Sequence, residues 1–441
     1  MKVKAIKTAV GRLPMSEDNK IKVYKDDSRE GELICIYPDI EYQTVKGFGG
    51  AFTEAAATTL DKLDKTQRAK ALELYFDPEK GIGYNFGRVH INSCDFSLGN
   101  YSCVDEGDNS LKSFNINRDK KSVIPMIKDA MKYNNIDIFA SPWSPPGYMK
   151  TSGEMNHGGR LKPEYYELWS EYYVKFIEEY KKEGICINSI TVQNEPKAVQ
   201  SWDSCVYTAE EERDFVKNYL GAKMKKIGVD VLFWDHNKER IVDRSKTMLS
   251  DKDAAEYISG IAFHWYSGDH FEQLEMFHNL YPNKEIVFSE GCYEYSRGAL
   301  DTVKIGERYA HDMIGNFNNY CNSFCDWNLI LDEKGGPNHV GNFCDAPIMI
   351  NTQTGEIEIH DSYYYIGHFS KFIKQDAKRI GSSKWTDAVE TVSFKNPDGE
   401  IVTVVLNRTD KNIKAWLKLD GQLAETEIEA HSIATYIFTT K

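Results

Sequence analysis

The sequence predicts an α/β fold, a (β/α)8 TIM barrel with a β-sandwich at its side. Three observations support this. Eight short apolar runs alternate with helical patterns between about residues 41 and 372. The residues that follow have the spacing of short antiparallel strands separated by turns. The 441 residues of the chain suffice for one barrel and a smaller second domain.

Repeated units of a strand followed by a helix indicate a parallel sheet, and eight such units close into a barrel. An open doubly wound sheet is the alternative, but no Gly-x-Gly-x-x-Gly pattern follows the first strand. Gly81-Ile82-Gly83 precedes the second strand and is typical of a turn. The predicted barrel strands are Gln43–Gly47, Tyr84–Ile91, Asp137–Ser141, Ser189–Asn194, Asp230–Asp235, Gly260–His264, Glu285–Glu290 and Ser323–Asn328.

Two of the intervening helices carry clear signals. Lys162–Lys182 has aromatic and apolar residues at three- and four-residue spacing, which predicts an amphipathic helix. Thr208 and Glu211 have the spacing of a capping box and mark the start of another helix.

Both ends of the chain contain short runs with the sequence pattern of β-strands. Turn signals separate four C-terminal runs, and two N-terminal runs have the same character, so we expect the ends to pair in one sandwich. The domains are predicted as residues 1–40 for the N-terminal sandwich strands, 41–375 for the barrel and 376–441 for the C-terminal sandwich segment. The runs are Ile21–Tyr24, Leu33–Tyr37, Glu390–Lys395, Glu400–Leu406, Lys414–Leu419 and Ile433–Phe438.

The composition excludes several classes of protein. The formal net charge is −13, which argues against nucleic acid as a partner because phosphate binding requires clustered cations. No apolar run is long enough for a membrane span. The N-terminus lacks the apolar core of a secretory signal, so a cytoplasmic protein is expected, or a secreted one if a signal was removed.

The nine cysteines are scattered, without a Cys-x-x-Cys pair. Buried, reduced thiols are the expectation; a disulfide framework or a structural metal is the alternative. Cys94, Cys205 and Cys292 fall near the expected site and are interpreted as small packing residues rather than nucleophiles.

Catalytic groups of an eight-stranded barrel lie at the carboxyl ends of its strands. Here those ends combine aromatic, carboxylate and amide side chains, which suit a sugar: rings pack on its C–H face and polar groups bind its hydroxyls. The segments are Asn92–Asp95, Ser141–Pro146, Gln193–Pro196, Trp234–Asn237, His264–Tyr266, Ser289–Gly291 and Asp326–Asn328.

Glu195 and Glu290 end the fourth and seventh strands, which lie nearly opposite in the ring. Glycoside hydrolysis requires two such carboxyl groups, one to protonate the leaving oxygen and one to attack or to activate water. Asn194 is placed to bind the sugar 2-hydroxyl. We expect partial burial and the charge of Glu290 to raise the pKa of Glu195.

Three other interpretations are weighed. Most glutamates are surface or ion-paired groups, and His264 alone would be a buried structural histidine. A carbohydrate-binding barrel without activity would lack one of the two glutamates. A metal-dependent hydrolase could use Asp235, His236, Asn237 and His264, but no His-x-His or His-Glu-x-x-His pattern is present, so no metal and no cofactor are predicted.

Several motifs, in this order, resemble glycoside hydrolase family 30, in particular its glucosylceramidase-like members. The resemblance extends from about Lys46 to the C-terminal strands. Its motifs are Gly47-Phe-Gly-Gly50-Ala-Phe-Thr53, Arg88-Val, Ser93-Cys-Asp95-Phe-Ser97, Ser141-Pro-Trp143, Asn194-Glu195-Pro196, His264-Trp-Tyr266, Ser289-Glu290, Asp326-Trp327-Asn328 and Gly335-Gly-Pro-Asn338.

The resemblance implies a retaining mechanism without a cofactor, with Glu195 as the general acid/base and Glu290 as the nucleophile. It implies that Asp95, Trp143, Asn194 and Trp327 hold the terminal sugar and that Arg88, His264, Tyr266 and Asn342 form the polar surround. The expected substrate is a terminal β-glucoside. The alternatives are an endo-β-1,6-glucanase or an exo-acting β-xylosidase or β-fucosidase; the oligomeric state stays open.

Overall fold

The computed structural model describes residues 1–18, 20–298 and 300–439. Four strands begin the chain, and eight parallel strands then close into a barrel in which neighbours in sequence are neighbours in the ring. The predicted fold class is therefore confirmed. The first four strands are β1 (Lys2–Ala9), β2 (Ser16–Asp18), β3 (Lys22–Lys25) and β4 (Leu33–Thr44); the barrel strands are β5 (Gly47–Phe52), β6 (Phe86–Ile91), β7 (Asp137–Pro142), β8 (Ile187–Thr191), β9 (Asp230–Asn237), β10 (Ile258–His264), β11 (Glu285–Glu290) and β12 (Ser323–Asp326).

The first barrel strand differs from the predicted one. The segment predicted as Gln43–Gly47 begins in the end of β4, and β5 starts only at Gly47. A Cβ atom on Gly49 would lie 1.5 Å from the carbonyl oxygen of Phe86 on the neighbouring strand, so this close approach requires glycine. Glycine is depleted in strands, and the Gly-rich segment therefore lacked a strand signal.

The other barrel strands lie within a few residues of their predicted positions. The main exception is the fourth, because β8 ends at Thr191 and leaves Gln193 and Asn194 in the loop that follows. The eighth also ends early, at Asp326, so that Trp327 and Asn328 lie beyond the strand.

Helices surround the barrel. The predicted capping box is confirmed, since Thr208 Oγ1 accepts from the Glu211 amide at 3.1 Å and the Glu211 carboxylate accepts from the Thr208 amide at 2.8 Å. No helix in the described ranges is long and apolar enough to cross a membrane. The helices are α1 (Glu54–Leu60), α2 (Lys65–Phe76), α3 (Val123–Ala130), α4 (Tyr166–Lys182), α5 (Ala209–Phe215), α6 (Gly221–Ile227), α7 (Ile241–Ser250), α8 (Lys252–Ala255), α9 (Phe271–Leu280), α10 (Thr302–Asn318) and α11 (Asp361–Ser370).

Two of the helical regions are not α-helical throughout. The helix predicted over Lys162–Lys182 begins with a 3-10 turn at Pro163–Tyr165 and is α-helical from Tyr166. A π-helical stretch, Val216–Leu220, joins α5 to α6.

The remaining strands form two further sheets. A small three-stranded sheet, which the sequence did not predict, contains β13 (Ile330–Asp332), β14 (Ile348–Ile350) and β15 (Ile357–Ile359). Each of its strands has three residues and is too short to show an alternation of apolar and polar residues. The C-terminal strands are β16 (Lys378–Lys384), β17 (Glu390–Lys395), β18 (Ile401–Asn407), β19 (Ile413–Leu419), β20 (Gln422–Ile428) and β21 (Ser432–Thr439).

The two ends of the chain share one ten-stranded sheet, with the order β2-β1-β21-β18-β17-β16-β4-β19-β20-β3. β1 pairs with β21 over its whole length, and β4 lies between β16 and β19. Ile34, Ile380, Leu417 and Tyr436 belong to its apolar core and are fully buried. The predicted joint sandwich is confirmed, although β1, β2, β16 and β20 were not predicted.

Seven of the nine cysteines are buried, as expected, and all nine carry free thiols. Cys94 and Cys205 are completely enclosed and Cys292 is 4% exposed. Burial raises the pKa of the Cys94 and Cys205 thiols, and a hydrogen bond with Cys344, together with burial, raises that of Cys292. The raised values disfavour the thiolates and fit a packing role.

Charged side chains join the barrel to the sandwich. His311 on α10 lies 2.5 Å from the Glu390 carboxylate on β17 and 3.1 Å from that of Asp269. Burial opposes the charge on His311, but the two carboxylates outweigh it and raise its pKa above the ordinary value of 6.5. The imidazolium is therefore stabilised in the folded protein.

This contact predicts a pH-dependent stability. Because the folded-state pKa of His311 is the higher one, its stabilisation is complete below pH 6.5 and is lost as the pH rises through the folded-state value. Between about pH 6 and 9, the melting temperature of the protein should fall by a few degrees more than that of His311→Gln, measured by circular dichroism. His157→Gln, at an exposed histidine, is the control and should behave like the parent. Equal slopes for parent and His311→Gln would contradict the prediction.

Candidate active site

A cavity of about 180 Å³ opens where the barrel strands end. Eight of the ten predicted site residues line it, and the other two, Arg88 and His264, are fully buried beside it and contact its glutamates. The structure therefore brings the whole predicted set together. The eight lining residues are Asp95, Trp143, Asn194, Glu195, Tyr266, Glu290, Trp327 and Asn342.

Glu195 and Glu290 face the same imidazole. His264 Nδ1 lies 3.3 Å from Glu195 Oε1 and 3.8 Å from Glu290 Oε1. The two carboxylate oxygens are thus within about 7 Å of each other, the sum of those distances. Two acidic groups across one small cavity is the arrangement that glycoside hydrolysis requires.

The Arg88 guanidinium lies under the cavity and joins three elements. It donates to Glu290 Oε2 at 2.6 Å, to Asp235 Oδ2 at 2.7 Å and to Asn194 Oδ1 at 3.0 Å. Burial of the guanidinium opposes its charge, but Asp235 and Glu290 outweigh this and raise its pKa. Charge-assisted bonds in a buried site fix the position of Glu290.

Asp235 is a second buried centre; from the sequence it was predicted only within the Trp234–Asn237 strand end and as a possible metal ligand. Besides Arg88, it accepts from Thr191 and Ser289 and lies 2.9 Å from His264 Nε2. Burial opposes its ionisation, but Arg88 and His264 outweigh it and hold its pKa well below the usual range. An ionised Asp235 therefore orients the His264 ring.

The expected rise in the pKa of Glu195 is wrong. Burial acts in that direction, but the hydrogen bond from His264 and the positive charges of His236 and His264 outweigh it and lower the pKa. Conversely, although burial opposes its charge, the surrounding carboxylates raise the pKa of His264 to about 9. The sequence did not show that two imidazoles would face Glu195. These imidazoles reverse the expected direction of its pKa shift.

Glu290 has a different environment from Glu195. Its Oε2 accepts from Arg88 and its Oε1 accepts from the Tyr266 hydroxyl at 3.0 Å. Burial raises the pKa of Glu290, while the charges of His264 and Arg88 oppose that rise. Two donors directed at its oxygens hold the carboxylate in one orientation.

Aromatic rings and one further carboxyl group complete the wall. Trp143 and Trp327 stack with ring centroids 5.0 Å apart, and the Arg88 guanidinium lies 4.6 Å from the Trp143 centroid. Asp95 Oδ2 accepts from Asn342 at 3.2 Å, whereas Oδ1 has no hydrogen-bond partner among the described residues. Burial, together with the charge of Glu290, raises the pKa of Asp95 well above its usual range.

The backbone is strained where strand ends enter the cavity. Glu195, Asp235 and Asn328 have φ values of 46°, 50° and 65°. Asp and Asn tolerate this left-handed region, but Glu seldom adopts it. The Glu195 amide donates to the Asp235 carbonyl at 2.9 Å, and this bond helps to hold the conformation. Such strain is concentrated at functional sites.

Six more residues line the cavity and were not among the predicted site residues. His236 and Asn237 were predicted only within the Trp234–Asn237 strand end and as possible metal ligands; their position as the last two residues of β9 was the signal that could have placed them here. Gln200 and Trp202 come from the loop after Glu195. The loop has no helical or strand periodicity from which the side-chain orientation could be predicted. The six are Gln200, Trp202, His236, Asn237, Cys292 and Glu294. Among the described residues, Glu195, His236 and His264 are the group that could hold a metal ion.

Comparison with known proteins identifies two domains. Residues 45–373 match the Glycosyl hydrolase family 30 TIM-barrel domain, and residues 376–436 match the family 30 beta sandwich domain. The lysosomal acid glucosylceramidase of Mus musculus is 35% identical over 433 residues, which cover 92% of this chain and 84% of the relative.

Two solved structures are similar over 100% of both chains. SrfJ from Salmonella typhimurium has a TM-score of 0.97 and 36% identity. An endo-beta1,6-glucanase has a TM-score of 0.90 and 29% identity. The barrel and the sandwich therefore have the same arrangement in all three proteins.

The buried position of Arg88 predicts a strong effect on stability. Arg88→Ala leaves Asp235 and Glu290 without their cation, and loss of one partner of a buried ion pair costs about 3–5 kcal/mol. The free energy of unfolding, measured in urea, should fall by that amount. Arg160→Ala breaks the exposed ion pair with Glu211 and should cost less than about 1 kcal/mol. A similar small cost for both variants would refute the assigned role of Arg88.

Proposed function

Because the chain belongs to glycosyl hydrolase family 30, we propose that it releases glucose from terminal β-glucosides, with Glu290 as nucleophile and Glu195 as acid/base. The chain is a retaining glycosidase. The observation that carries the proposal is the position of the two glutamates, on either side of one imidazole in a cavity of about 180 Å³. Retention requires two displacements at the anomeric carbon.

In the first displacement, the Glu290 carboxylate attacks the anomeric carbon and forms an ester with the sugar. The bond to the glycosidic oxygen breaks, and Glu195 donates a proton to that oxygen, so that the leaving group departs as an alcohol. Glu195 must therefore be protonated in the complex with substrate, although its pKa is lowered in the free protein. The bonds from Arg88 and Tyr266 orient the Glu290 oxygens for this attack.

In the second displacement, the ionised Glu195 accepts a proton from water, and the water oxygen attacks the anomeric carbon. The ester to Glu290 breaks, its electron pair returns to the carboxylate, and the sugar leaves with its original configuration. The proton that Glu195 has gained restores the starting state. His264 and His236 stabilise the ionised form of Glu195 that this step needs.

The sugar is held by the groups around the two glutamates. We assign Trp143 and Trp327 to the sugar face and Asp95 to its hydroxyls, through the free Oδ1 atom. Asn194 is assigned to the 2-hydroxyl, where hydrogen bonds strengthen in the transition state. Arg88, His264, Tyr266 and Asn342 keep these groups in place.

The size of the cavity supports exo action. It has room for one sugar ring rather than for several, and the stacked tryptophans are 2% and 3% exposed, so they close one side. The glucosylceramidases to which the chain is similar, such as the one from Mus musculus, support glucose as that ring. The second candidate is an endo-β-1,6-glucanase, which the likeness to a solved enzyme of that kind favours.

A substrate panel tests the proposed function. Nitrophenyl β-glycosides of glucose, xylose, fucose and galactose should show the highest kcat/KM for glucose, and glucosylceramide should be cleaved. Glu290→Gln should lower kcat by about 10⁴-fold or more, because the nucleophile is lost. Faster release of oligosaccharides from β-1,6-glucan than of nitrophenol from the glucoside would favour the second candidate and contradict the first.

The role of Glu195 predicts a rescue by azide. Glu195→Ala should still form the ester from dinitrophenyl β-glucoside, since this leaving group needs no proton, but should hydrolyse that ester slowly. Azide needs no base, so it should restore turnover and give β-glucosyl azide, detected by mass spectrometry and NMR. Glu294→Ala removes another carboxylate of the cavity and is the control. Absence of the azide product with Glu195→Ala, or its formation with Glu294→Ala, would be evidence against the assignment.

A further inference from the structure

Three potential metal ligands converge at one side of the cavity. His264 Nδ1 and His236 Nδ1 lie 3.3 and 3.5 Å from Glu195 Oε1, and the three donor atoms are within 4.8 Å of one another. A tetrahedral zinc ion with bonds of about 2.1 Å separates its ligand atoms by about 3.4 Å. The two measured separations match that value without movement of Glu195.

The orientation of His264 is that of a metal ligand with a supporting carboxylate. Its Nε2 lies 2.9 Å from Asp235 Oδ1 and donates to it. This bond leaves Nδ1 as the atom that can hold either a proton or a metal ion. A carboxylate on the far nitrogen is the usual partner of a metal-binding histidine, because it fixes the ring and increases its basicity.

His236 supplies an independent observation. Its Nδ1 atom is buried and has no hydrogen-bond partner among the described residues, although it lies close to Glu195. Buried ring nitrogens are normally bonded, so this atom has an unused capacity for a ligand.

The surrounding charge favours a divalent cation. Once zinc has displaced the proton of His264 Nδ1, the cluster contains the carboxylates of Glu195, Asp235 and Glu290 and the guanidinium of Arg88. A bound cation would offset the excess of negative charge in a buried site. Imidazole nitrogen with one carboxylate oxygen suits zinc, whereas magnesium and calcium prefer oxygen alone.

We propose that the free protein binds one zinc ion through Glu195, His236 and His264, and that this ion inhibits hydrolysis. Glu195 and His236 line the cavity, so the fourth position of the ion is open to it. With its oxygen bound to zinc, Glu195 neither donates a proton to a leaving group nor accepts one from water. The zinc site itself does not depend on the proposed function; the inhibition does.

Calorimetric titration of the metal-free protein with zinc chloride at pH 7.5 tests the site. One ion should bind per chain, and magnesium chloride should give no heat of binding. His236→Gln should raise the Kd for zinc more than tenfold, because it removes a ligand. His157→Gln alters an exposed histidine outside the group and should leave the Kd unchanged.

A second variant keeps the test decisive. Glu195→Ala should also raise the Kd for zinc more than tenfold, and circular dichroism establishes that each variant is folded. If His236→Gln does not fold, Glu195→Ala alone decides. Zinc that binds a folded His236→Gln or Glu195→Ala as tightly as the parent, or that is lost in His157→Gln, would overturn the site.

Activity separates this inference from the proposed function. Zinc should inhibit cleavage of nitrophenyl β-glucoside by the parent, EDTA should restore the rate, and His236→Gln should need more than tenfold more zinc for the same fractional inhibition of its own rate. Full activity of the zinc-loaded parent would overturn the inhibition. Specific zinc binding by a parent that cleaves none of the tested glycosides would support the site and overturn the proposed function alone.

Discussion

The buried guanidinium of Arg88 holds Asp235 and Glu290 at 2.7 and 2.6 Å, although the three residues come from different barrel strands. Neither carboxylate is stable as a charge in this environment without that cation. Asp235 in turn contacts His264, which faces Glu195. The positions of both glutamates therefore depend on one guanidinium under the cavity and its two ion pairs.

The two glutamates differ because their partners differ. Glu290 is bound by a guanidinium and a phenol, whereas Glu195 faces two imidazoles. In the free protein these surroundings lower the pKa of Glu195 and raise that of Glu290. The proposed roles need the opposite order, so the proton must be on Glu195 once substrate is bound. The charge of Glu195 therefore also depends on whether the nitrogens of these imidazoles hold a proton or a metal ion.

The positions of the site residues could be predicted from the sequence, whereas the directions of their pKa shifts could not. A residue at the end of a parallel strand must face the mouth of the barrel, so Glu195 and Glu290 could be paired without coordinates. The sign of the pKa shift at Glu195 could not be predicted, because it depends on the orientation of the His236 and His264 rings. β5 was misplaced for another reason: its glycines satisfy a close approach of two backbones, and nothing in the local pattern reports that contact.

The pairing of β1 with β21 joins the first and last strands of the chain. During synthesis, the barrel sequence leaves the ribosome before β21, the second partner of β1 beside β2, exists. The edge of β1 that faces β21 therefore stays unpaired while the barrel is already able to close. A nascent chain that stalls before residue 432 would therefore retain an exposed strand edge on β1, and such an edge favours association with other chains.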